Sequence, residues 1–293
     1  MTLYQQILKS MEKGDKPESY CSWEATFHGP QQRVISYSLF RSKEKGERKS
    51  WKEKLWKRGL TNNLQSMRKY FPGWVIRVYS DLDDDEFICE LRCGNLELFW
   101  CDIRKIKSYG DLSSQMDSRT WRFLPLGDPT VDVFLIRDID SLLIARDAAA
   151  VQDWLENTTK AFHAFRDHPA HVEPALGGLW GGRNDLLSFE AKRELHNTIV
   201  NQSSLPGRHK KYFDQDVMLD QIIFPPNRDY FVYYDSYYCE KWRNVTLTRP
   251  FPTQRKGNEF LGEPVLWGDY GGYGLKECPE SCRPEHGKSW SYC

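Results

Sequence analysis

Apolar residues along the chain fall into short runs separated by stretches of helical periodicity. Val34-Ile-Ser-Tyr-Ser-Leu-Phe40 is rich in apolar and aromatic residues and predicts a strand. Leu60, Leu64, Met67 and Phe71 recur at the spacing that lines one helix face, and Pro72-Gly73 ends that helix. Trp74 to Tyr79 predicts a second strand. Strand, helix and strand joined by short links make a βαβ unit, with parallel strands and a right-handed crossover. Met116, Thr120, Trp121 and Leu124 then predict a helix over 112–124, broken by Pro125. Val131 to Ile136 is an apolar run suited to a buried central strand. Val151, Trp154 and Leu155 mark a helix over 147–155, and Phe162 to Phe165 a short strand. A helix capped by Asn184 or Asp185 is expected to run to about Val200. Another covers 216–224 before Pro225-Pro226, and a late strand covers 230–234. The alternation of β and α predicts an α/β fold with a mostly parallel central sheet flanked by helices. Residues 1–30 show no clear periodicity and are assigned to a lead-in segment, 31–275 to the sheet domain, and 276–293 to a cysteine-rich tail.

Charge narrows the partners. Lys+Arg and Asp+Glu are equal at 41 each, so no global field attracts nucleic acid or an acidic membrane. The one basic run, Arg41 to Arg58, is interleaved with Glu and reads as a solvated face. No apolar run reaches the roughly 18 residues of a membrane span, and the first residues lack a signal-peptide core. Cysteines stand at 21, 89, 93, 101, 239, 278, 282 and 293. Two readings compete for them. Zinc could use Cys278, Cys282, His286 and Cys293; alternatively disulfides staple the tail and another bridge closes the region of Cys89 and Cys101. Asn157, Asn201 and Asn244 begin glycosylation sequons. Cysteines and sequons together predict a glycoprotein of the ER or Golgi lumen, or a secreted one, whose anchor or leader lies outside this chain. A cytoplasmic location is the alternative.

The chemistry concentrates behind the central strand. Asp138 and Asp140 follow Val133 to Ile136, where the chain leaves the carboxyl edge of the sheet, and open α/β sheets bind ligands at that edge. Residues two apart on extended chain share a side, so both carboxylates aim at one point while Ile139 turns into apolar packing. Paired carboxylates suit Mg²⁺ or Mn²⁺, and such ions take their remaining ligands from water and phosphate. A diphosphate is the natural ligand, and Arg137 could add a charge-assisted contact to it. The bland alternative is that both aspartates cap the next segment. The acidic loop Asp81 to Glu86 lacks the glycine and distal Glu of a calcium loop and reads as solvated. His168 and His171 could be zinc ligands, but no third ligand lies near them in sequence. In Leu176-Gly-Gly-Leu-Trp-Gly-Gly182 the glycines allow close backbone approach to a ligand and Trp180 could stack on a sugar; a tight turn is the alternative. Asp214-Gln-Asp216 opens a helix, and its carboxylates either cap it or face the site.

An Asp-x-Asp after a buried strand suits two enzyme classes, nucleotide-sugar transferases and haloacid-dehalogenase-like phosphatases. The phosphatase pattern wants Thr or Val where Leu142 stands, early in the chain, with a downstream acidic pair; here the motif is central. The order of Arg122, Arg137-Asp-Ile-Asp-Ser141, Arg166-Asp-His-Pro169, Gly177-Gly178 and Asp214-Gln-Asp216 resembles GT-A-fold, Asp-x-Asp-containing glycosyltransferases, with the nearest likeness to sparsely characterised animal families. The resemblance covers about 33–270 and implies a GT-A-like sheet. It also implies a metal-dependent, hexosyltransferase-type enzyme that moves a sugar from a UDP-sugar to a glycan or protein acceptor with retention of configuration. Under it, Asp138 and Asp140 hold Mn²⁺ with His286 as a third ligand. Tyr37 lies near the base, Arg122 points into the donor pocket, and Gly177 and Gly178 line the donor sugar or the acceptor. Asp216 or Asp167 lies nearest the transferred sugar, and His168 is a further candidate at the substrate. A dehalogenase-like phosphatase and a non-catalytic glycan-binding relative remain the alternatives.

Overall fold

The computed structural model describes residues 17–41, 47–83, 85–208, 210–242, 246–264 and 274–293. The sequon at Asn244, the first sixteen residues and part of the basic run after Arg41 lie outside them. Eight strands form one sheet: β1 (Gln32–Leu39), β2 (Val75–Ser80), β3 (Leu98–Asp102), β4 (Val131–Arg137), β5 (Phe162–Arg166), β6 (Leu179–Arg183), β7 (Phe231–Asp235) and β8 (Leu247–Arg249). Their spatial order is β3-β2-β1-β4-β6-β5-β7-β8. Only β6 runs against its neighbours β4 and β5; every other pairing is parallel. The sheet is therefore the mostly parallel, helix-flanked one expected of the alternating pattern.

Side chains alternate across the sheet and build a core on each face. Val34, Phe134 and Ile136 pack on one side with Trp121, Phe123 and Trp180. Ile35, Tyr37, Val133 and Leu135 pack on the other. Leu60, Leu64 and Met67 cover that second face from α2 (Glu47–Tyr70), as do Val151 and Trp154 from α4 (Ala145–Asn157). Helices α1 (Trp23–His28), α3 (Asp85–Cys93) and α5 (Phe189–Val200) complete the layers. A π-wound helix over Asp214–Ile223 runs on into α6 (Phe224–Asn227). Pro225 and Pro226 fall in its final turn, and the helix ends at Asn227, three residues beyond the expected stop.

Several local expectations are corrected. Residues 118–123 form 3₁₀ turns rather than an α-helix. Asp117 caps the Arg119 N–H and its carbonyl accepts from the Thr120 hydroxyl, which tightens the chain at that point. The cap of α5 is Ser188, whose hydroxyl accepts from Ala191 N. Asn184 instead turns inward and donates to the carbonyls of Pro125 and Val131. The glycine block divides: Gly177 and Gly178 form a turn closed by Leu179 N donating to Leu176 O at 2.9 Å, and Gly181 and Gly182 lie in strand β6. A Cβ at Gly181 would strike the Phe134 carbonyl and lie 2.5 Å from His163 Cε1, and one at Gly182 would lie 2.5 Å from the Phe134 ring. Those glycines serve close strand packing.

The cysteines settle on disulfides: Cys21–Cys101, Cys239–Cys282 and Cys278–Cys293. The tail is stapled, as one of the two readings held, and its sulfurs are unavailable to zinc. The expected bridge around Cys89 is corrected: Cys101 pairs with Cys21, and Cys89 and Cys93 stay as thiols. Cys21–Cys101 ties the end of the lead-in to β3. Ser19 Oγ and Tyr20 N donate to Asp128, which is paired at 2.8 Å with the buried Arg77. No described helix is long and apolar enough to cross a membrane.

Candidate functional site

The chain leaves β1 towards β2 on one side, while β4 joins β1 on the other. The carboxyl ends of β1 and β4 thus flank the point where strand order reverses, which is where open α/β sheets bind ligands. A cavity of about 790 Å³ opens there. Ser38 to Phe40 line it from β1, Asp138 to Asp140 from β4, and Leu176 to Leu179 from the start of β6. The antiparallel course of β6 is what brings Gly177 and Gly178 to this edge, because Leu179 pairs with Arg137.

Asp138 and Asp140 both line the cavity, and Ile139 is 8% exposed within the core between them. The backbone is a turn here rather than extended chain, with Ser141 N donating to Asp138 O at 3.2 Å. Asn63 of α2, fully buried, holds this turn. Its amide donates to the carbonyls of Ile139 and Ser141, and its oxygen accepts from Leu143 N at 3.0 Å. Opposite stands Arg122, 7% exposed. One arm of its guanidinium pairs with Asp138 and the other with Asp214 at 2.9 Å. The arginine is oriented from β1: Ser38 Oγ accepts from Arg122 N at 2.9 Å. Burial alone would lower the Arg122 pKa, but Asp138 and Asp214 outweigh it and raise the value.

Gly178 has a specific task. A Cβ there would occupy the place of the Asp138 carboxylate, and one at Gly177 would meet Asp214 Oδ2 at 2.9 Å. The Gly177 N–H donates to Gln215 Oε1 at 2.7 Å, which fastens the glycine pair to the π-wound helix. Gly178→Ala is expected to displace Asp138 and lower activity by about 10²-fold, while shifting the urea midpoint little. An unchanged rate would show that Asp138 does not need its present place.

The structure brings together Asp138, Asp140, Arg122, Gly177 and Gly178. It places the other expected site residues elsewhere. Tyr37 and Trp180 are fully buried in the two cores, on opposite faces of the sheet. Arg137 turns away from the cavity and pairs with Asp147 through Nε at 3.0 Å and one arm at 2.8 Å, while its other arm donates to the carbonyls of Ile136 and Trp180. Asp167 is fully buried and bound by Arg146, Arg255, the Ser236 hydroxyl and Leu261 N. Asp216 is exposed and does not line the cavity. His168 packs on Phe260 outside the lining. His286 meets the Pro252 carbonyl at 3.1 Å and the Trp290 ring, in the stapled tail.

The cavity lining also holds residues that sequence reasoning passed over. Asp214, rather than Asp216, faces the cavity, where Arg122 pairs with it at 2.9 Å. Phe40 and Trp56 present aromatic rings at the β1 end, 6.0 Å apart and tilted, where Tyr37 was expected to meet a base. His171, not His168, lines the cavity. Asn63 carried a usable signal as a polar residue inside the apolar stripe of α2. Tyr212, just before Asp214, has φ 67°, a conformation that is rare for a bulky residue and concentrated at functional sites.

For a metal, the donor set is hard oxygen, and the Asp138 side chain is 45% exposed. The three acids of the lining (Asp138, Asp140, Asp214) are balanced by its three bases (Arg119, Arg122, Lys211). A bound diphosphate would leave an excess of negative charge that a divalent cation cancels. The residues therefore fit a cation that shares its shell with phosphate. Among the described residues, the one cluster of three ligand-type atoms is Asp235, Cys239 and Cys282, and its two sulfurs are bonded to each other.

No family model matches the chain, and no curated protein matches it. Solved structures resemble it, two of the following three being described as glycosyltransferases. One acts in glycosylation of the major capsid of PBCV-1, at 13% identity and TM-score 0.38 over 76% of this chain and 94% of that one. Another is GlyE of Streptococcus pneumoniae TIGR4, at 13% identity and TM-score 0.43 over 74% and 47%. A third is residues 1–349 of S. aureus TarS, at 11% identity and TM-score 0.37 over 59% and 56%. The chain spans about half the length of the GlyE and TarS chains it matches.

Proposed function

We propose that the cavity binds a nucleotide-diphosphate sugar together with Mn²⁺ or Mg²⁺ and transfers the sugar to a glycan or protein hydroxyl. The observation that carries this reading is the array Asp138–Arg122–Asp214 beside Asp140, at the switch point between β1 and β4. Asp138 and Asp140 would hold the cation, which neutralises the departing diphosphate. Phe40 and Trp56 offer faces on which a uracil or another base can stack. Arg122 keeps Asp214 oriented towards the cavity, where its carboxylate can oppose positive charge developing at the anomeric carbon. The diphosphate leaves with the electron pair of the glycosidic bond, the acceptor hydroxyl oxygen bonds to the anomeric carbon in its place, and the hydroxyl proton passes to the departing diphosphate. In this reading a hexose is transferred with retention of configuration. Three disulfides suit an oxidising compartment, so we place the protein in the secretory lumen or outside the cell.

Calorimetric titration with UDP in Mn²⁺, and again in EDTA, tests the reading, followed by a hydrolysis screen of nucleotide-sugars. Saturable binding that requires the metal, and release of nucleotide from one donor, are expected. Absence of nucleoside-diphosphate binding with either metal would falsify the proposal. A phospho-aspartyl adduct at Asp138 would point to a phosphatase, and glycan binding indifferent to Asp138→Ala to a non-catalytic relative.

A further inference from the structure

His171 stands in the cavity wall with one ring nitrogen already committed. It belongs to the connection between β5 and β6, the same connection that ends in Gly177 and Gly178. Its Nδ1 lies 3.1 Å from the Asp167 N–H, which donates to it. A nitrogen that accepts carries no proton, so in the neutral ring the proton resides on Nε2. Nε2 has no hydrogen-bond partner among the described residues. The ring is set by its neighbours: His168 lies 5.6 Å away and Phe260 6.0 Å, the latter edge-on. Its backbone anchor is equally firm, since Asp167 is clamped by Arg146 and Arg255.

The neutral form is also the favoured one. Burial pushes the His171 pKa down to about 4; Asp167 pulls the other way, and His168 and Arg255 add to the lowering. Across the ordinary working range the side chain is thus an uncharged donor at Nε2. It cannot act as a general base, because its only acceptor nitrogen is occupied. A rigid, neutral N–H donor in the same cavity lining as Gly177 and Gly178 suits an uncharged hydroxyl better than a phosphate, which cationic groups recognise more strongly.

We propose that His171 donates a hydrogen bond from Nε2 to a hydroxyl of the sugar being transferred, and so helps decide which sugars the site accepts. The proposal rests on the donor reading above and deepens it. A site built to hydrogen-bond a hydroxyl discriminates against ligands that lack it, because its buried polar group is then left unpaired.

Two substitutions separate the ring's tasks. Asn can keep an oxygen near the place of Nδ1 for the Asp167 N–H but does not reach the place of Nε2. Gln extends an N–H donor to that place. The probes are UDP alone and a panel of UDP-hexoses, titrated calorimetrically in Mn²⁺ with wild type, H171N and H171Q. Wild type and both variants are expected to bind UDP equally. H171N should bind the preferred UDP-hexose about tenfold more weakly, and H171Q should recover most of that loss. ¹⁵N-imidazole NMR of the wild type at pH 6 should show His171 neutral and protonated at Nε2, a result independent of any activity. If UDP binds but H171N keeps the full gain in affinity from the hexose, or if NMR finds the proton on Nδ1, the inference is overturned. If UDP fails to bind the wild type, the donor reading itself fails, and the NMR result still reports on the ring.

Discussion

Asp138→Asn is expected to abolish Mn²⁺-dependent binding of UDP and to slow sugar release from the donor by about 10²–10³-fold. The substitution removes a charge that lines the cavity, stands next to Asp140 in the motif and pairs with Arg122. Asn keeps the shape, so Gly178 still accommodates it. The fold should barely respond. The side chain is 45% exposed, and Arg122 retains Asp214 as a counter-charge, so the stability loss should stay within about 1 kcal/mol. Steady-state hydrolysis of a UDP-sugar, run beside urea unfolding of the same preparation, measures both quantities. A variant that still binds UDP only with Mn²⁺, and turns over within about tenfold of wild type, would move the metal away from Asp138.

The opposite split is expected for Asp167→Asn. This carboxylate is fully buried and faces two guanidinium groups, Arg146 at 2.9 Å and Arg255 at 2.8 Å. Burial alone would raise its pKa, but the two arginines outweigh that and hold it below the usual carboxylate range. The ion group gathers four parts of the chain: the end of β5, the start of α4, Ser236 just after β7, and the segment around Arg255 and Leu261. Neutralising the aspartate leaves two buried cations without their anion, which costs about 3–5 kcal/mol. For a chain of this size that corresponds to a fall in Tm of roughly 10 °C, readable by calorimetry. Activity per folded molecule should remain within about tenfold at a temperature where the variant is still folded. Unchanged stability with a large loss of rate would return Asp167 to the chemistry.

The contrast between these two aspartates shows what a linear reading can and cannot see. Each follows a strand that ends in arginine, Arg137 before Asp138 and Arg166 before Asp167. The Asp-x-Asp spacing singles out Asp138, but nothing local shows that Asp167 is a buried ion-pair centre. The partners that set each role are distant in sequence: Arg255 is 88 residues from Asp167, and Asp214 is 92 residues from the Arg122 that it shares with Asp138. The same holds for Arg137. It looks like a phosphate contact next to the motif, yet Asp147, one helix start away, takes its guanidinium to the far face.

What could be read without coordinates was set by local physics. Alternation of apolar runs with helical stripes sufficed for β1, β2, β4, β5 and β7, for α2, α4 and α5, and for a largely parallel sheet. A buried strand followed by two carboxylates pointed to Asp138 and Asp140, and both line the cavity at the carboxyl edge of the sheet, where parallel strands release their loops. Tertiary structure decided the rest. It laid the second half of the glycine block down as β6, since Gly181 and Gly182 are demanded by the approach of Phe134 and His163, which no neighbour in sequence announces. It paired Cys21 with Cys101 across 80 residues. It chose Asp214 over Asp216, and placed Asn63 behind the metal-type pair. In each case the deciding energy is a contact between segments far apart along the chain, where a side chain's partner, and not its type, determines its role.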